Sequence, residues 1–496
     1  MIKNFQMQNW INLKSWRPYF IIFVVGFLLY SQTFLFGLTY LDDNTLILEH
    51  TSILQNVKNI KNIFSTDVFM SGGGSKFYYR PLLNLSLMLD NHLGGVLPFI
   101  YHLDNILLHI LTVILLFCLL DCLFKNRILA FFFSLIFLVH PVLTQAVAWI
   151  PGRNDSLLTI FILAAFLSFL KFFEYPKLKF LAAYAFFFGL ALFTKETAIF
   201  LPILIIVYFI SIGRKTSLAL IDRFLVLIIS LVPGFIWLIM HSLAFSKENI
   251  RVGSAIGSVI NNLPNTLAMA GKMIFPFNLS VLPDALDSTM LYGIIALIIL
   301  VVALIFSKQK RYDYLFFGAT WFLVFFLPPF AISNSVPYFL EHRLYLPIIG
   351  FLIILAEIDF IKNLNFNRRR VQLISLFVLL ILSGITFYHS KNFSDQITFW
   401  QAAVKTSPHS PLAQKNLGAM YYFEGDYNQA INHDTLALSL NPREPMVHNN
   451  LGVIYMDQKK YSEAEKEFKK ELEINPGYDK ALNNLQDLYY RQKQLR

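Results

Sequence analysis

Long apolar runs separated by short basic loops constrain this sequence more than any other feature. About 20 consecutive apolar residues cross a bilayer as an α-helix, and we identify eleven runs that approach this length. Because backbone exposed to lipid must satisfy its hydrogen bonds within its own segment, we expect an all-α, multi-span transmembrane bundle. The candidate spans are about 19–38, 98–124, 128–149, 156–172, 179–193, 196–212, 221–245, 289–307, 314–331, 343–361 and 371–389.

The composition supports a membrane protein. Only 15% of the 496 residues are charged, whereas soluble domains are about one-quarter charged. The first run follows basic residues Lys3, Lys14 and Arg17 and lacks a small-x-small cleavage site, so we interpret it as a retained anchor. Cys118 and Cys122 lie one helical turn apart in an apolar run and predict no disulfide framework.

The charges of the loops predict an orientation. With the N-terminus in the cytoplasm, every short inward loop is basic, as the positive-inside rule requires. The net charge of +10 lies mostly in these loops, so we expect no nucleic-acid partner. The first outward loop, about 39–97, is long and carries acids, and an odd span count places the C-terminus on the same side. The inward basic groups are Lys125/Arg127, Lys177/Lys179, Arg214/Lys215, Lys308/Lys310/Arg311 and Lys362/Arg368/Arg369/Arg370.

A 34-residue repeat follows the last span. Segments 413–442 and 447–476 share Leu, Gly, Tyr, Ala and Pro at equivalent positions, a period and pattern typical of tetratricopeptide helix pairs. Residues 392–408 match half of a preceding repeat, and the chain from Asp479 supplies a closing helix. We therefore expect a membrane domain at 1–390 and an extracytoplasmic repeat domain at 391–496. The repeats would hold a polypeptide acceptor or dock a partner; a purely structural cap over the outer loops is the alternative.

Ionisable residues gather at the outward ends of several spans. Because charge at membrane depth is costly, each is a functional-site hypothesis. Each also has a structural alternative: His109 can pack between helices, Lys195 and Glu196 can cap a turn, and Arg80 can extend to the interface. Their convergence favours a site in which cations hold a phosphate and an acid accepts a proton. The residues are Asp42, Asp43, Arg80, His102, His140, Arg153, Asp155, Lys195, Glu196, Glu341, His342 and Arg343.

The sequence contains neither a metal-ligand motif nor a phosphate-binding glycine loop. The segment "SGGGS" (71–75) precedes Lys76, but Phe77 stands where a Ser or Thr is needed, so we interpret it as a flexible hinge. A nucleotide donor is therefore disfavoured. A sugar transferase facing away from the cytoplasm would instead use a membrane-soluble donor such as a polyprenyl phosphate sugar.

The sequence resembles a known family, the transmembrane and tetratricopeptide-repeat O-mannosyltransferases of the GT-C glycosyltransferase superfamily. The resemblance covers nearly the whole chain and depends on the shared order of short motifs followed by repeats. It implies a bundle whose first outer loop holds catalytic acids, and transfer of a sugar from a dolichyl- or polyprenyl-phosphate to a protein hydroxyl. The motifs are "LDD" (41–43), "YRPL" (79–82), "YHLDNILLHI" (101–110), "HPVLTQAVAWIPGRND" (140–155), "TKE" (194–196) and "EHRLYLP" (341–347).

The resemblance also implies roles for individual residues. Asp42 would be the general base, and Asp43 would orient the acceptor or a divalent ion if one is used; no cofactor is required. Gln145 stands where relatives commonly have Glu, which removes a possible charge. The expected donor-binding residues are Arg80, His102, His140, Arg153, Lys195, Glu196, Glu341 and Arg343.

Two other functions remain open from the sequence. The same fold could glycosylate a lipid or a cell-wall glycan, or the chain could be a non-catalytic membrane scaffold that assembles partners through its repeats. Few cysteines and a compact size favour a bacterial inner (plasma) membrane, with the repeats in the periplasm or outside the cell. The endoplasmic reticulum membrane is the alternative.

Overall fold

The computed structural model describes residues 15–70, 78–215, 219–244, 252–331 and 340–494. Across these ranges the chain is helical and contains no β-strand, which confirms the predicted fold class. The predicted hinge at 71–75 and the residues Lys76 and Phe77 lie outside the described residues.

The chain forms two compact units. Within the described residues, the first unit is drawn from Met1–Leu279, Thr289–Val336 and Leu340–Ser394, and the second from Ser280–Ser288 and Asp395–Arg496. The longer helices of the first unit are Arg17–Tyr30, Pro81–Gly94, Pro98–Phe124, Arg127–Val139, Arg153–Glu174, Leu178–Thr194, Leu201–Ile210, Leu220–Ala244, Val252–Asn261, Leu263–Gly271, Leu291–Phe306, Tyr312–Phe326, Ile348–Leu355 and Arg369–Ser390.

Six helices in the described residues are long and apolar enough to cross a membrane, and the number is seven if a bent pair counts as one span. The bent pair, Arg127–Val139 and Pro141–Ala148, breaks by 54° at the His-Pro step, where proline removes a backbone donor. Three further predicted spans are apolar helices too short for this criterion. The predicted count of eleven is therefore not confirmed. The six helices are Arg17–Leu35, Pro98–Phe124, Ile150–Glu174, Leu220–Ala244, Tyr312–Phe330 and Arg369–Phe393.

The predicted span at 343–361 differs most from expectation. Its regular helix covers only Ile348–Leu355, eight residues, or about 12 Å at 1.5 Å per residue. Residues 348–353 are buried in protein on all sides. Irregular backbone is tolerated at membrane depth where protein surrounds it, so this apolar run serves as core.

The loop that follows the first apolar helix, predicted to face outward, packs on neighbouring helices through short helical turns. A π-helical turn, Asn44–Glu49, directly follows the two acids Asp42 and Asp43. Its buried side chains Leu46 and Ile47 belong to an apolar cluster that includes Leu83 and Ile150. Burial of these apolar groups fixes the turn and with it the position of the acid pair.

The second unit consists of antiparallel helix pairs. Its helices are Gln396–Thr406, Pro411–Phe423, Tyr427–Leu440, Val447–Asp457, Tyr461–Ile474 and Asp479–Gln494. The predicted half-repeat, two full repeats and closing helix each appear as such helices. A Cβ at Gly452 would lie 2.6 Å from the Phe468 ring, so glycine is needed where the helices of the second repeat cross.

A short segment between two membrane helices also belongs to the second unit. The Leu282 carbonyl accepts a hydrogen bond from Ser407 Oγ at 2.7 Å, and Asp287 accepts from the backbone N–H of His409 at 3.0 Å. The segment Ser280–Ser288 therefore packs on the helix that opens the repeat array. The sequence contains no periodic signal for this packing.

Candidate active site

A cavity of about 390 Å³ in the first unit collects side chains from separate parts of the chain. Three carboxylates, three cationic groups and one imidazole line it alongside aromatic and aliphatic side chains. The ionisable residues are Asp42, Arg80, Asp155, Lys195, Glu196, His342 and Arg343. The loop charges predict that all of them lie on the outward side, and the structure brings them to one cavity.

Asp42 and Asp43 have different environments although they are neighbours. Asp42 lines the cavity, and among the described residues no group hydrogen-bonds its carboxylate. Burial and the neighbouring Asp43 raise the pKa of Asp42 to about 6, although the Arg80 charge opposes the shift. Such a pKa suits a general base that works near neutral pH.

Asp43 is a structural residue in this arrangement. Its side chain is 1% exposed and does not line the cavity. One carboxylate oxygen accepts hydrogen bonds from the Thr39 backbone at 2.7 Å and from the Thr39 hydroxyl at 3.0 Å. Burial raises the pKa of Asp43, and the hydrogen bonds from Thr39 oppose the rise. Asp43 thus closes the turn that presents Asp42.

Glu196 holds Arg80 in the cavity that Asp42 also lines. The Arg80 Nη2 atom lies 3.3 Å from Glu196 Oε2, and the other Glu196 oxygen accepts from the Tyr79 backbone N–H at 3.0 Å. The guanidinium also lies over the Tyr78 ring, 4.4 Å from its centroid. These contacts orient one N–H face of Arg80 while leaving it in the cavity wall.

Lys195 and His342 meet at Asp155. The Lys195 ammonium donates to Asp155 Oδ1 at 2.8 Å, and His342 Nε2 lies 3.8 Å from Asp155 Oδ2. Burial lowers the pKa of Lys195, and the Asp155 charge opposes this shift. Sequence analysis assigns Asp155 and His342 to the predicted outward cluster but gives them no catalytic or binding role. In the structure both line the cavity.

Arg153 does not line the cavity. Its side chain is fully buried and pairs with Asp90 and Asp104, while Nη2 donates to the Tyr101 carbonyl at 2.7 Å. These partners lie on two helices, Pro81–Gly94 and Pro98–Phe124. Arg153 thus links its own helix to the helices of these partners. It is not part of the proposed donor site.

Three other expected donor-binding residues also lie outside the cavity lining. The His102 Nε2 atom faces the Gly37 carbonyl at 3.4 Å. His140 Nε2 contacts the Met273 carbonyl at 3.1 Å, and its Nδ1 accepts from the Val142 N–H. Glu341 Oε1 accepts from the Lys272 ammonium at 2.7 Å. Each of these contacts fixes the backbone or the packing around the cavity.

Sequence analysis missed several residues of the wall. Asn154, Trp149 and Trp237 line the cavity. Asn154 and Trp149 lie within the segment "HPVLTQAVAWIPGRND" (140–155), so their place in this motif could have indicated that they line the site. Lys272, which holds Glu341, is a single lysine in "AGKMIF" and has no distinguishing pattern.

Within the described residues, no group of three or more His, Cys, Asp or Glu side chains is arranged to hold a metal ion. The predicted optional role of Asp43 toward a divalent ion stays a prediction.

His109 packs between helices. Its Nδ1 contacts the Tyr345 hydroxyl at 2.6 Å, and its Nε2 contacts the Leu138 carbonyl at 3.0 Å.

Two family models match the chain. The model described as dolichyl-phosphate-mannose-protein mannosyltransferase matches residues 81–239, a region that supplies Asn154, Asp155, Lys195 and Glu196 to the cavity. The tetratricopeptide repeat model matches residues 445–478, the second repeat. The two matches follow the predicted order of a transferase-like membrane domain and a repeat tail.

Curated relatives match parts of the chain. The chain is 25% identical to protein O-mannosyl-transferase F38B6.6 of Caenorhabditis elegans over 77% of its own length and 57% of that protein. It is 45% identical to protein O-mannosyl-transferase TMTC1 of Mus musculus over 22% of its length and 12% of the relative. With human TMTC2 it shares 33% identity over 30% of its length and 18% of the relative. The chain thus spans little more than half of the worm relative.

These matches agree with the order of motifs along the chain, with the all-helical membrane unit and with the paired helices of the tail. The chain is thus similar, in its membrane unit and in its repeat tail, to proteins described as protein O-mannosyl-transferases and to the tetratricopeptide repeat model.

Proposed function

We propose that this chain is a membrane glycosyltransferase that moves mannose from a polyprenyl- or dolichyl-phosphate donor to Ser or Thr hydroxyls of proteins. One observation carries the proposal: a single cavity combines the carboxylate of Asp42 with the cations Arg80, Lys195 and Arg343. The description of the matched family model and the names of the relatives support the sugar and the acceptor class.

The chemistry requires one bond to form and one to break at the anomeric carbon. The acceptor hydroxyl gives its proton to Asp42 while its oxygen attacks that carbon from one side. The bond from the anomeric carbon to the phosphate oxygen breaks on the other side, and the electron pair leaves with the phosphate. Direct displacement of this kind inverts the anomeric configuration.

The cations act on the leaving group. A sugar phosphodiester gains negative charge as it becomes a phosphate monoester, so cations fixed in a water-poor cavity stabilise the transition state more than the substrate. Arg80 is oriented by Glu196 and Lys195 by Asp155, so little reorganisation is needed. This geometry supports phosphate departure without making a metal obligatory.

The apolar part of the cavity suits a lipid-linked donor. The lining also includes the apolar residues Ile199, Phe200, Pro328, Pro329 and Leu340, and Ile199 is 44% exposed. An isoprenoid chain would contact these side chains from the lipid phase while its phosphate reaches the cations. We propose that this site and the repeats face away from the cytoplasm, with a bacterial inner membrane favoured.

The proposal is tested with purified protein, labelled polyprenyl-phosphate-mannose and two acceptors, a short Ser/Thr peptide and a folded protein. We expect label on both, with transfer unchanged by EDTA. Deleting residues 395–496 should spare the peptide and reduce transfer to the protein, if the repeats capture the acceptor. Label found only in lipid or glycan would favour the alternative acceptor, and no transfer at all would favour a scaffold.

The rate should depend on pH through Asp42. A general base works when ionised, and the pKa of Asp42 is raised to about 6. We therefore expect kcat/KM to fall as the pH drops below about 6 and to level off above it. Because Arg80 lowers this pKa, the variant Arg80→Gln should move the acidic limb to higher pH. A pH profile that is flat between pH 5 and pH 7 would contradict the assignment.

A further inference from the structure

The imidazole of His342 is fixed on two sides. Gln145 Oε1 lies 3.2 Å from both the backbone nitrogen and Nδ1 of His342. The Trp149 ring packs beside the imidazole, with the centroids 5.5 Å apart. The ring therefore has one defined orientation, with Nε2 directed toward Asp155.

This contact determines which ring nitrogen carries the proton. A backbone N–H can only donate, so the Gln145 side chain must present its oxygen to it. The same oxygen can then contact Nδ1 only if Nδ1 carries a hydrogen. In the neutral ring, Nε2 is left with a lone pair and acts as an acceptor. Burial keeps the ring neutral, because it lowers the pKa of His342 to about 3.

Two further acceptors belong to the same cavity wall. Asp155 Oδ2 is 3.8 Å away, beyond direct hydrogen-bonding distance. Asn154 lines the same cavity, and its side-chain oxygen is buried with no hydrogen-bond partner among the described residues. The acceptors His342 Nε2 and Asp155 Oδ2, 3.8 Å apart, repel one another unless a donor lies between them. The Asn154 oxygen in the same wall also needs a donor, so this wall suits a ligand that brings O–H or N–H groups.

A cation is a poor occupant of this position. The Lys195 ammonium lies 2.8 Å from Asp155 Oδ1 and already supplies positive charge to that carboxylate. A second cation would be repelled by Lys195, whereas a neutral hydroxyl would not. The charge distribution therefore favours hydroxyl groups over a metal ion.

We propose that His342 Nε2, Asp155 Oδ2 and the Asn154 side-chain oxygen form a hydroxyl-binding subsite that recognises the sugar of the donor. This inference rests on the proposed function for the identity of the ligand as a sugar. Gln145 is a positioning residue, because it acts by holding the His342 tautomer. In this chain an uncharged amide at position 145 keeps His342 an acceptor.

The test compares polyprenyl-phosphate-mannose with analogues that each lack one hydroxyl group. A site that hydrogen-bonds a hydroxyl discriminates strongly against an analogue without it. We expect at least one analogue to lose about 10-fold or more in kcat/KM with the wild-type protein. In His342→Leu, mannose transfer should fall and the penalty for that same analogue should shrink toward one.

Gln145→Glu is the second variant and preserves size. A carboxylate at this position favours protonated His342, so Nε2 would donate to Asp155 and cease to accept. The penalty for the same analogue should therefore shrink here too. The control is His92→Leu, since His92 bonds the Met88 carbonyl outside the cavity; it should keep the wild-type penalty.

Donor binding without acceptor separates this inference from the proposed function. If labelled donor binds with the same hydroxyl discrimination but no sugar reaches any acceptor, the subsite stands and the transferase proposal fails. If sugar is transferred and the deoxy penalties are equal in wild type, His342→Leu and Gln145→Glu, the subsite is overturned and the transferase proposal stands.

Discussion

Replacing Asp42 by Asn should remove most sugar transfer and leave the fold intact. Asparagine has nearly the same shape but cannot accept the proton of the acceptor hydroxyl. General-base catalysis contributes about 10²- to 10⁴-fold, and we expect kcat to fall within that range. Because the carboxylate lines a cavity, its replacement breaks no hydrogen bond among the described residues. Donor binding and thermal stability should therefore change little.

The matched control for this variant is Glu49→Gln. Glu49 lies in the same loop, is exposed and does not line the cavity. Its replacement by Gln therefore removes the same charge without changing the cavity wall. Transfer should stay at the wild-type level. Unchanged transfer in Asp42→Asn, measured with labelled donor and peptide, would contradict the catalytic assignment.

Replacing Arg153 by Met should destabilise the membrane unit more than any cavity substitution described above. Arg153 is fully buried between Asp90 and Asp104, and Asp90 is itself 2% exposed. Removing one partner of a buried ion pair leaves an uncompensated charge and costs about 3–5 kcal/mol in the free energy of unfolding. Thermal unfolding in detergent should show a lower midpoint.

A second substitution distinguishes loss of pairing from loss of a donor contact. In Arg153→Met with Asp90→Asn, the stranded buried charge is gone, so part of the lost stability should return. If Arg153→Met instead keeps the wild-type melting temperature and loses donor binding, Arg153 contacts the donor as the resemblance implies. The ion pairs of Arg153 with Asp90 and Asp104 would then contribute little to stability.

The apolar run at 343–361 marks one limit of sequence analysis. Its composition matches a membrane span, yet the helix is only Ile348–Leu355, and residues 348–353 are buried in protein. Hydropathy measures whether a segment avoids water. It does not tell whether the neighbours of that segment are lipid chains or other helices, because both are equally apolar.

Arg153 and Lys195 mark a second limit. In the sequence both are single cations at the outward end of an apolar helix. The structure buries Arg153 among carboxylates and places Lys195 in the cavity wall. The difference arises from partners such as Asp90 and Asp155, which helix packing brings within reach.

Features with local causes could be determined from the sequence alone. Apolar runs predict membrane helices because lipid contact depends on each segment, and the 34-residue period predicts helix pairs because each repeat packs on its neighbours. The shared cavity, the turn closed by Asp43 and the tautomer of His342 depend on atoms brought together from distant segments. Only the tertiary structure decided these, because a side chain's partner is set by how helices pack and not by its place along the chain.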